Sequence, residues 1–261
     1  MKFDEVKKVI EKIAPLEYGE DWDNTGIQIK AKEDEINKIL VVLEINDEVV
    51  KEAIANKVDM IITHHPLVFA TIKKVDYNTV QGRYLIELIN NNISVYSAHI
   101  TFDNAPGGNN YYLAEALGLE NIGLPKYNPE NHIGLVGEFE KPIDLKSVCE
   151  LIVEKWEIPK EVLKIAGELD KEISKVAICS GAGGDLIKLA PKEGCQLVIT
   201  ADTKLHQAQK AIAEGVAFID AGHYDTEKQF VKNIAGKLRK KIDIEIMESE
   251  SNVNPFKYMN W

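Results

Sequence analysis

The sequence predicts an α/β protein of two structurally related lobes, on three grounds. Apolar runs of strand length alternate with helical stretches, and KILVVLEI, DEVVKEAIANK and VDMIIT make a first strand–helix–strand unit. The same order returns as KVAICSGAGG, DLIKLAPKEG and CQLVITAD, with IITHHP and VITADT aligning residue for residue. NNISVYSAH and EGVAFIDAGH then repeat a polar entry, a β-rich run and a strand-end histidine, His99 in one and His223 in the other. Repetition on this scale indicates internal duplication, with the two lobes expected to face each other.

The elements follow in order. Near the amino terminus Phe3, Val6, Val9, Ile10 and Ile13 form one helical stripe, unlike the uninterrupted apolar region of an export signal. DWDNTGIQI comes after a glycine-containing turn, and Asp21, Asp23 and Asn24 are residue types that close turns through side-chain to backbone hydrogen bonds. Asp47 is the expected N-cap of DEVVKEAIANK. The Gly, Pro and Asn of NIGLPKYNPENHIG, residues 121–134, mark the join, giving lobes of 1–125 and 126–261. DLKSVCELIVEKW is an amphipathic helix with Asp144 as its N-cap. KIDIEIM is a closing strand, and the tail after it carries Phe256, Tyr258 and Trp261, placed to dock onto a lobe.

Composition narrows the function classes. No apolar run approaches the roughly 20 residues of a membrane-spanning helix, so a soluble, cytoplasmic protein without a membrane partner is expected. Cys149, Cys179 and Cys195 are odd in number and lack CxxC spacing, which suits buried structural thiols rather than disulfides or a thiolate metal knuckle. The formal charge is −11 and the only arginines are Arg83 and Arg239, a poor endowment for gripping phosphate backbones.

The chemistry lies at the strand ends. His64 and His65 directly follow the apolar run Met60 to Ile62, at the carboxyl end of a strand, where open α/β sheets place their sites. Side chains alternate along a strand, but the bend before Pro66 can turn both rings to one cavity. Asp103 stands four residues after His99 and Glu227 four after His223. Six candidate ligands at related strand ends, imidazoles with two carboxylates, suit a pair of zinc, manganese or iron ions sharing a carboxylate or a water. The competing reading is ordinary polar decoration of strand ends. The loop SGAGG, Ser180 to Gly184, can present amides to an anion at a helix N-terminus led by Asp185 or simply turn tightly; it matches neither GxxxxGK nor GxGxxG. Gly181, Asp202 and His206 are candidates to line the cavity.

DWDNTGIQI, ITHHPLVF, SAHITFDNAPGGN, CSGAGG, DAGHYDTE and the terminal NPFKYM together resemble the GTP cyclohydrolase I type 2 homologues, the Nif-three-like proteins, over nearly the whole chain. That resemblance implies two αβ lobes with a di-metal site in the cleft and a ring-like homohexamer. It implies metal ligands at His64, His65, Asp103, His223 and Glu227, with His99 near the ions rather than bound to them. The family usually reads AHTNLD where this chain has AHITFD, which puts a neighbouring polar contact in doubt. The chain also has Ala201 where the family often has Gly, and it lacks a middle insertion. The implied activity is a metal-dependent hydrolase, GTP cyclohydrolase-like, acting on a nucleotide or related small molecule through a metal-activated water. The alternative is a metal-binding ring without turnover that captures a partner such as nucleic acid.

Overall fold

A computed structural model describes residues 1–31, 35–127 and 133–258. The strands are β1 (Gly26–Ile29), β2 (Lys38–Val42), β3 (Met60–Thr63), β4 (Ser94–Ser97), β5 (Glu120–Gly123), β6 (Leu135–Asp144), β7 (Lys164–Ala166), β8 (Glu172–Ile178), β9 (Leu197–Thr200), β10 (Ala217–Asp220) and β11 (Glu245–Glu248). The α-helices are α1 (Phe3–Ile13), α2 (Asp47–Ala55), α3 (Val80–Asn90), α4 (Ile100–Asn104), α5 (Asn109–Ala116), α6 (Leu145–Lys155), α7 (Ala190–Glu193), α8 (Leu205–Ala213), α9 (His223–Glu227) and α10 (Gln229–Arg239). No helix among the described residues is long and apolar enough to cross a membrane.

The fold is mixed α/β with two sheets, in two units that are each discontinuous in sequence. The first unit is Met1–Ala105 with Gln229–Pro255, and the second is Pro106–Lys228 with Phe256–Trp261. This differs from a single join after residue 125, and strand pairing gives the reason. β11 returns to pair in parallel with β2, Glu245 opposite Lys38, so the end of the chain belongs with the first sheet. β5 pairs with β6, and α5 packs on both of them, which takes the segment after Ala105 into the second unit.

In the first unit the sheet order is β1-β4-β3-β2-β11, with parallel pairing throughout except β1 against β4. β2, β3 and β4 read as near-continuous apolar runs because both faces are covered. Leu40, Val42, Ile61 and Val95 pack with Val49 and Ala53 of α2 and Leu85 and Leu88 of α3. The alternate residues Ile39, Val41, Met60, Ile62 and Tyr96 are also buried, as are Phe3, Val6 and Ile10 of α1 and Ile234 and Leu238 of α10. The α1 stripe read from the sequence is thus the buried face of the helix.

The second unit has the order β5-β6-β8-β9-β10-β7, in which β8, β9 and β10 are parallel and β7 runs antiparallel to β10. One face sets Ile178, Leu197, Ile199, Ala217 and Ile219 against Leu113 of α5, Leu145, Val148 and Ile152 of α6, and Trp156 at the C-cap of α6. The other sets Ala177, Val198 and Phe218 against Leu186, Ile187, Ala190 and Ala211.

Caps follow expectation with one shift. The Asp144 carboxylate accepts from the Ser147 amide at 2.7 Å and starts α6. α2 is capped one residue earlier than expected, by Asn46, whose Oδ1 accepts from the Val49 amide at 2.9 Å; Asp47 enters the first turn and pairs with Arg83 instead. Tyr258 of the tail donates to Asp225 at 3.0 Å, while Phe256 is exposed and Trp261 lies outside the described residues.

Candidate metal centre

In the first unit the ladder runs past the end of β3. The amides of His64 and His65 donate to Val42 O at 3.3 Å and Leu43 O at 3.0 Å. Thr63 Oγ1 lies 3.1 Å from the carbonyls of both Leu43 and His65, drawing the chain into a turn ahead of Pro66. Strict alternation would send the two imidazoles to opposite faces; at this turn their centroids are 5.1 Å apart. His99 caps α4, so Asp103 follows one helical turn later on the same face. Asp103 Oδ1 stands 3.6 Å from His64 Nε2. Phe230 backs His64 at 4.8 Å and stacks edge-on to Phe102. Phe102 is therefore core, and the polar side chain at this corner is Thr101, whose hydroxyl lies 3.2 Å from that of Thr25.

The second unit presents its candidate ligands on α9. Gly222 begins the helix at φ +79, a left-handed conformation suited to glycine, and its amide donates to Asp220 Oδ1 at 3.1 Å. Burial alone would raise the Asp220 pKa, but the hydroxyl and amide of Thr203, the Gly222 amide and Lys164 outweigh it, and the carboxyl is held below its ordinary range. His223 Nε2 then lies 3.1 Å from Glu227 Oε2. Asp202, left-handed at φ 51 directly after β9, sets its carboxylate 2.7 Å from His223 Nδ1. Gly181, also left-handed, passes so close to α9 that a Cβ there would stand 2.2 Å from Glu227 Oε1 and 3.3 Å from His223 Nε2.

His64, His99 and His223 share one arrangement, and His65 stands farther from its acceptor. Nδ1 faces the Ala98 carbonyl at 3.2 Å in His64, Glu44 at 3.7 Å in His65, Asp23 at 2.8 Å in His99 and Asp202 at 2.7 Å in His223. An oxygen acceptor at Nδ1 places the proton of a neutral ring there and leaves the lone pair on Nε2. Imidazole nitrogen and a buried carboxylate, Asp103 in the first unit and Glu227 in the second, are donor types suited to first-row divalent ions. In His223, Nε2 faces a Glu227 carboxylate oxygen at 3.1 Å, a contact that a proton or a bound cation between the two atoms satisfies.

Two sequence expectations fare differently. In the SGAGG loop the Ser180 amide donates to Asn110, Gly181 to Thr226 Oγ1 and Gly183 to Thr200 Oγ1, so these three donors are engaged within the unit. A 3-10 turn over Gly184–Lys188 stands where an α-helix led by Asp185 was expected, and Pro191 opens the short α7 behind it. His206 is exposed on α8 and joins no ligand-spaced group among the described residues. Sequence reading missed Glu44 and took Asp23 as a turn-former. Glu44 follows β2 just as His65 follows β3, two residues past the strand end in each case, a strand-end signal that was available.

A family model described as Duf34/NIF3 (NGG1p interacting factor 3) matches residues 1–255. The chain belongs to the Duf34/NIF3 family. Its relatives include a GTP cyclohydrolase 1 type 2 homolog of Clostridium acetobutylicum, 34% identical over 99% of each chain. Another is the Protein NIF3 homolog of Schizosaccharomyces pombe, 29% identical over 97% of each. The fold of this Duf34/NIF3 member matches a Bacillus cereus protein related to NIF3 with a TM-score of 0.88 at 22% identity, over 99% of each chain. It also matches reduced HcgD from Methanocaldococcus jannaschii with a TM-score of 0.82 at 29% identity, over 96% of this chain and 98% of that one.

Proposed function

We propose that this Duf34/NIF3 protein binds two divalent metal ions through His64, His65, Asp103, His223 and Glu227, as one centre, and hydrolyses a nucleotide or related small molecule there. The observation that carries the reading is that His64, His99 and His223 each set Nδ1 within hydrogen-bond distance of an oxygen acceptor, an orientation that leaves Nε2 as the ring's donor atom. The corresponding strand-end positions in the two sheets support both the shared centre and internal duplication: His99 and Asp103 follow β4 as His223 and Glu227 follow β10.

Two such ions, when bound, supply an activated water at neutral pH and polarise the electrophile it attacks. The protein's own part is to hold the ligands rigidly. The Ala98 carbonyl and Asp202 fix His64 and His223, and Gly181 leaves room for the Glu227 carboxylate. The relatives named GTP cyclohydrolase 1 type 2 homolog make GTP the first substrate to try. Metal-reconstituted protein is expected to open or hydrolyse GTP or a related nucleotide, with His65→Ala and Asp103→Ala inactive. Product formation that survives both substitutions, or none with any nucleotide under zinc, manganese and iron, would remove the hydrolase reading. The family resemblance supports assembly as a homohexamer, and the exposed pair Trp22 and Phe69, with ring centroids 6.3 Å apart, is a surface such assembly could cover. A solution mass of a single chain would contradict that assembly.

A further inference from the structure

We propose that the carboxyl-terminal tail, residues 249–258, is a strap. Latched to α2 by Glu52, it sets Tyr258 against Asp225 and so steadies α9, the helix that carries His223 and Glu227. What α9 presents is taken from the metal-centre reading above; the strap itself stands on the tail's own contacts.

α9 is five residues long. A helix of little more than one turn has no stability of its own, so its side chains must be fastened to something else. Thr226 Oγ1 accepts from the Gly181 amide at 2.9 Å, which ties the helix to the loop after β8. Asp225 is buried, and its Oδ2 accepts from the Tyr258 hydroxyl at 3.0 Å. A Cβ on Gly222 would stand 3.1 Å from the same oxygen, so this carboxylate folds back over the residue that begins the helix. The ammonium of Lys228 stands farther off, 3.8 Å from Oδ1, and donates to the Glu157 carbonyl at 2.7 Å. The tail tyrosine is thus what meets Asp225 at hydrogen-bond distance.

The tail is anchored well before it reaches Tyr258. β11 ends at Glu248, and the Ser249 amide extends its ladder by donating to Val41 O at 2.9 Å. Glu52 of α2 then takes three donors at once: the hydroxyl of Ser249 at 2.5 Å, the hydroxyl of Ser251 at 2.7 Å and the Glu250 amide at 3.1 Å. Hydrogen bonds to an ionised carboxylate are the strong ones. Burial alone would raise the Glu52 carboxyl, but these donors outweigh it and hold the group below its ordinary range.

Between these attachments the tail has no regular secondary structure, and Asn252, Pro255, Phe256 and Lys257 are exposed. A segment with so little buried opens locally at low cost. Each attachment lies within a single unit, and the chain itself joins them. A short tether keeps its loose end at high effective concentration near the partner. Once the latch at Glu52 is lost, Tyr258 must be recaptured from a larger volume, so loosening Ser249–Ser251 also loosens the hold on α9.

The test is hydrogen–deuterium exchange of the metal-free full chain, read on peptides covering residues 222–228 and 249–258, for wild type, Tyr258→Phe, Glu52→Ala and a control, Tyr77→Phe. Tyr77 also donates to a carboxylate, that of Glu87 at 2.9 Å, on an exposed surface. Tyr258→Phe removes one hydroxyl and should speed exchange across 222–228 about tenfold or more. Glu52→Ala should speed exchange in both peptides, and Tyr77→Phe in neither. Both variants that loosen α9 should also bind zinc about tenfold more weakly in a chelator competition. Exchange across 222–228 within twofold of wild type in Tyr258→Phe would overturn the seating of α9 by the tail. Faster exchange confined to 249–258 in Glu52→Ala would overturn the coupling. Zinc affinity unchanged in a variant with a loosened α9 would overturn the positioning of His223 and Glu227. A wild type that takes up no zinc would instead overturn the metal-centre reading, while exchange still decides the strap.

Discussion

Gly181→Ala separates the geometry of the centre from the stability of the chain. Gly181 has φ +59, where an L side chain costs about 1–2 kcal/mol. For a chain of this size that lowers the thermal midpoint by roughly 2–8 °C. The new Cβ would stand 2.2 Å from Glu227 Oε1, and ordinary contact begins near 3.4 Å, so the carboxylate oxygen must move by about 1 Å. Such a move is sterically cheap at the end of a side chain, but metal–ligand distances tolerate only about 0.2 Å. Gly194→Ala is the matched control, because Gly194 has φ +73 and its Cβ would meet nothing within 4 Å. Both variants should melt a few degrees early without metal. Only Gly181→Ala should bind metal more weakly, by about tenfold or more, in a competition titration against a chromophoric chelator. Equal metal affinity in wild type, Gly181→Ala and Gly194→Ala would refute the argument that the bare Gly181 backbone makes room for a liganding Glu227.

Three further outcomes are expected. Asp202→Asn removes the negative acceptor 2.7 Å from His223 Nδ1 at an exposed position, so metal affinity should fall about 10–100-fold while the metal-free melting temperature stays within a degree or two. Asp220 gains stability from a carboxyl held below its ordinary 3.8, a contribution present above that pH and lost as pH falls through the folded value. Asp220→Ala should therefore cost about 1–3 kcal/mol near pH 7 and flatten the acid limb of a denaturation series measured from pH 6 down to 3. Burial pushes the Cys149 thiol up to about 11 and the Cys195 thiol up to about 12, so a thiol reagent at pH 8 should label neither until denaturant unfolds the chain.

The strands and most caps were legible because their signals are local. The runs around Leu40, Ile61 and Ile199 are apolar on both faces, as parallel strands between helix layers must be, and the Asp144 cap lies three residues from the amide it binds. The division of the chain was not legible, because it depends on β11 returning to β2 across some two hundred residues, a pairing that leaves no mark near residue 125. At the candidate centre the residues proposed as ligands stand out in the sequence because each follows an apolar strand-length run. The residues that orient the imidazoles are harder to read. Asp23 reaches His99 across a long loop closure, and in sequence its position between Trp22 and Asn24 is indistinguishable from a turn. The SGAGG loop could be read either as a tight turn or as amides offered to an anion, and the partners that take up the amides of Ser180, Gly181 and Gly183, namely Asn110, Thr226 and Thr200, are distant in sequence.

Metal content per chain tests the central claim most directly. Elemental analysis would be made on wild type and on the His65→Ala, Asp103→Ala double variant, prepared without an affinity tag or chelator. The account predicts about two divalent ions per wild-type chain, as a hydrolytic pair requires, and markedly fewer in the variant. A wild type that carries no metal and takes up none when offered zinc, manganese or iron would contradict it.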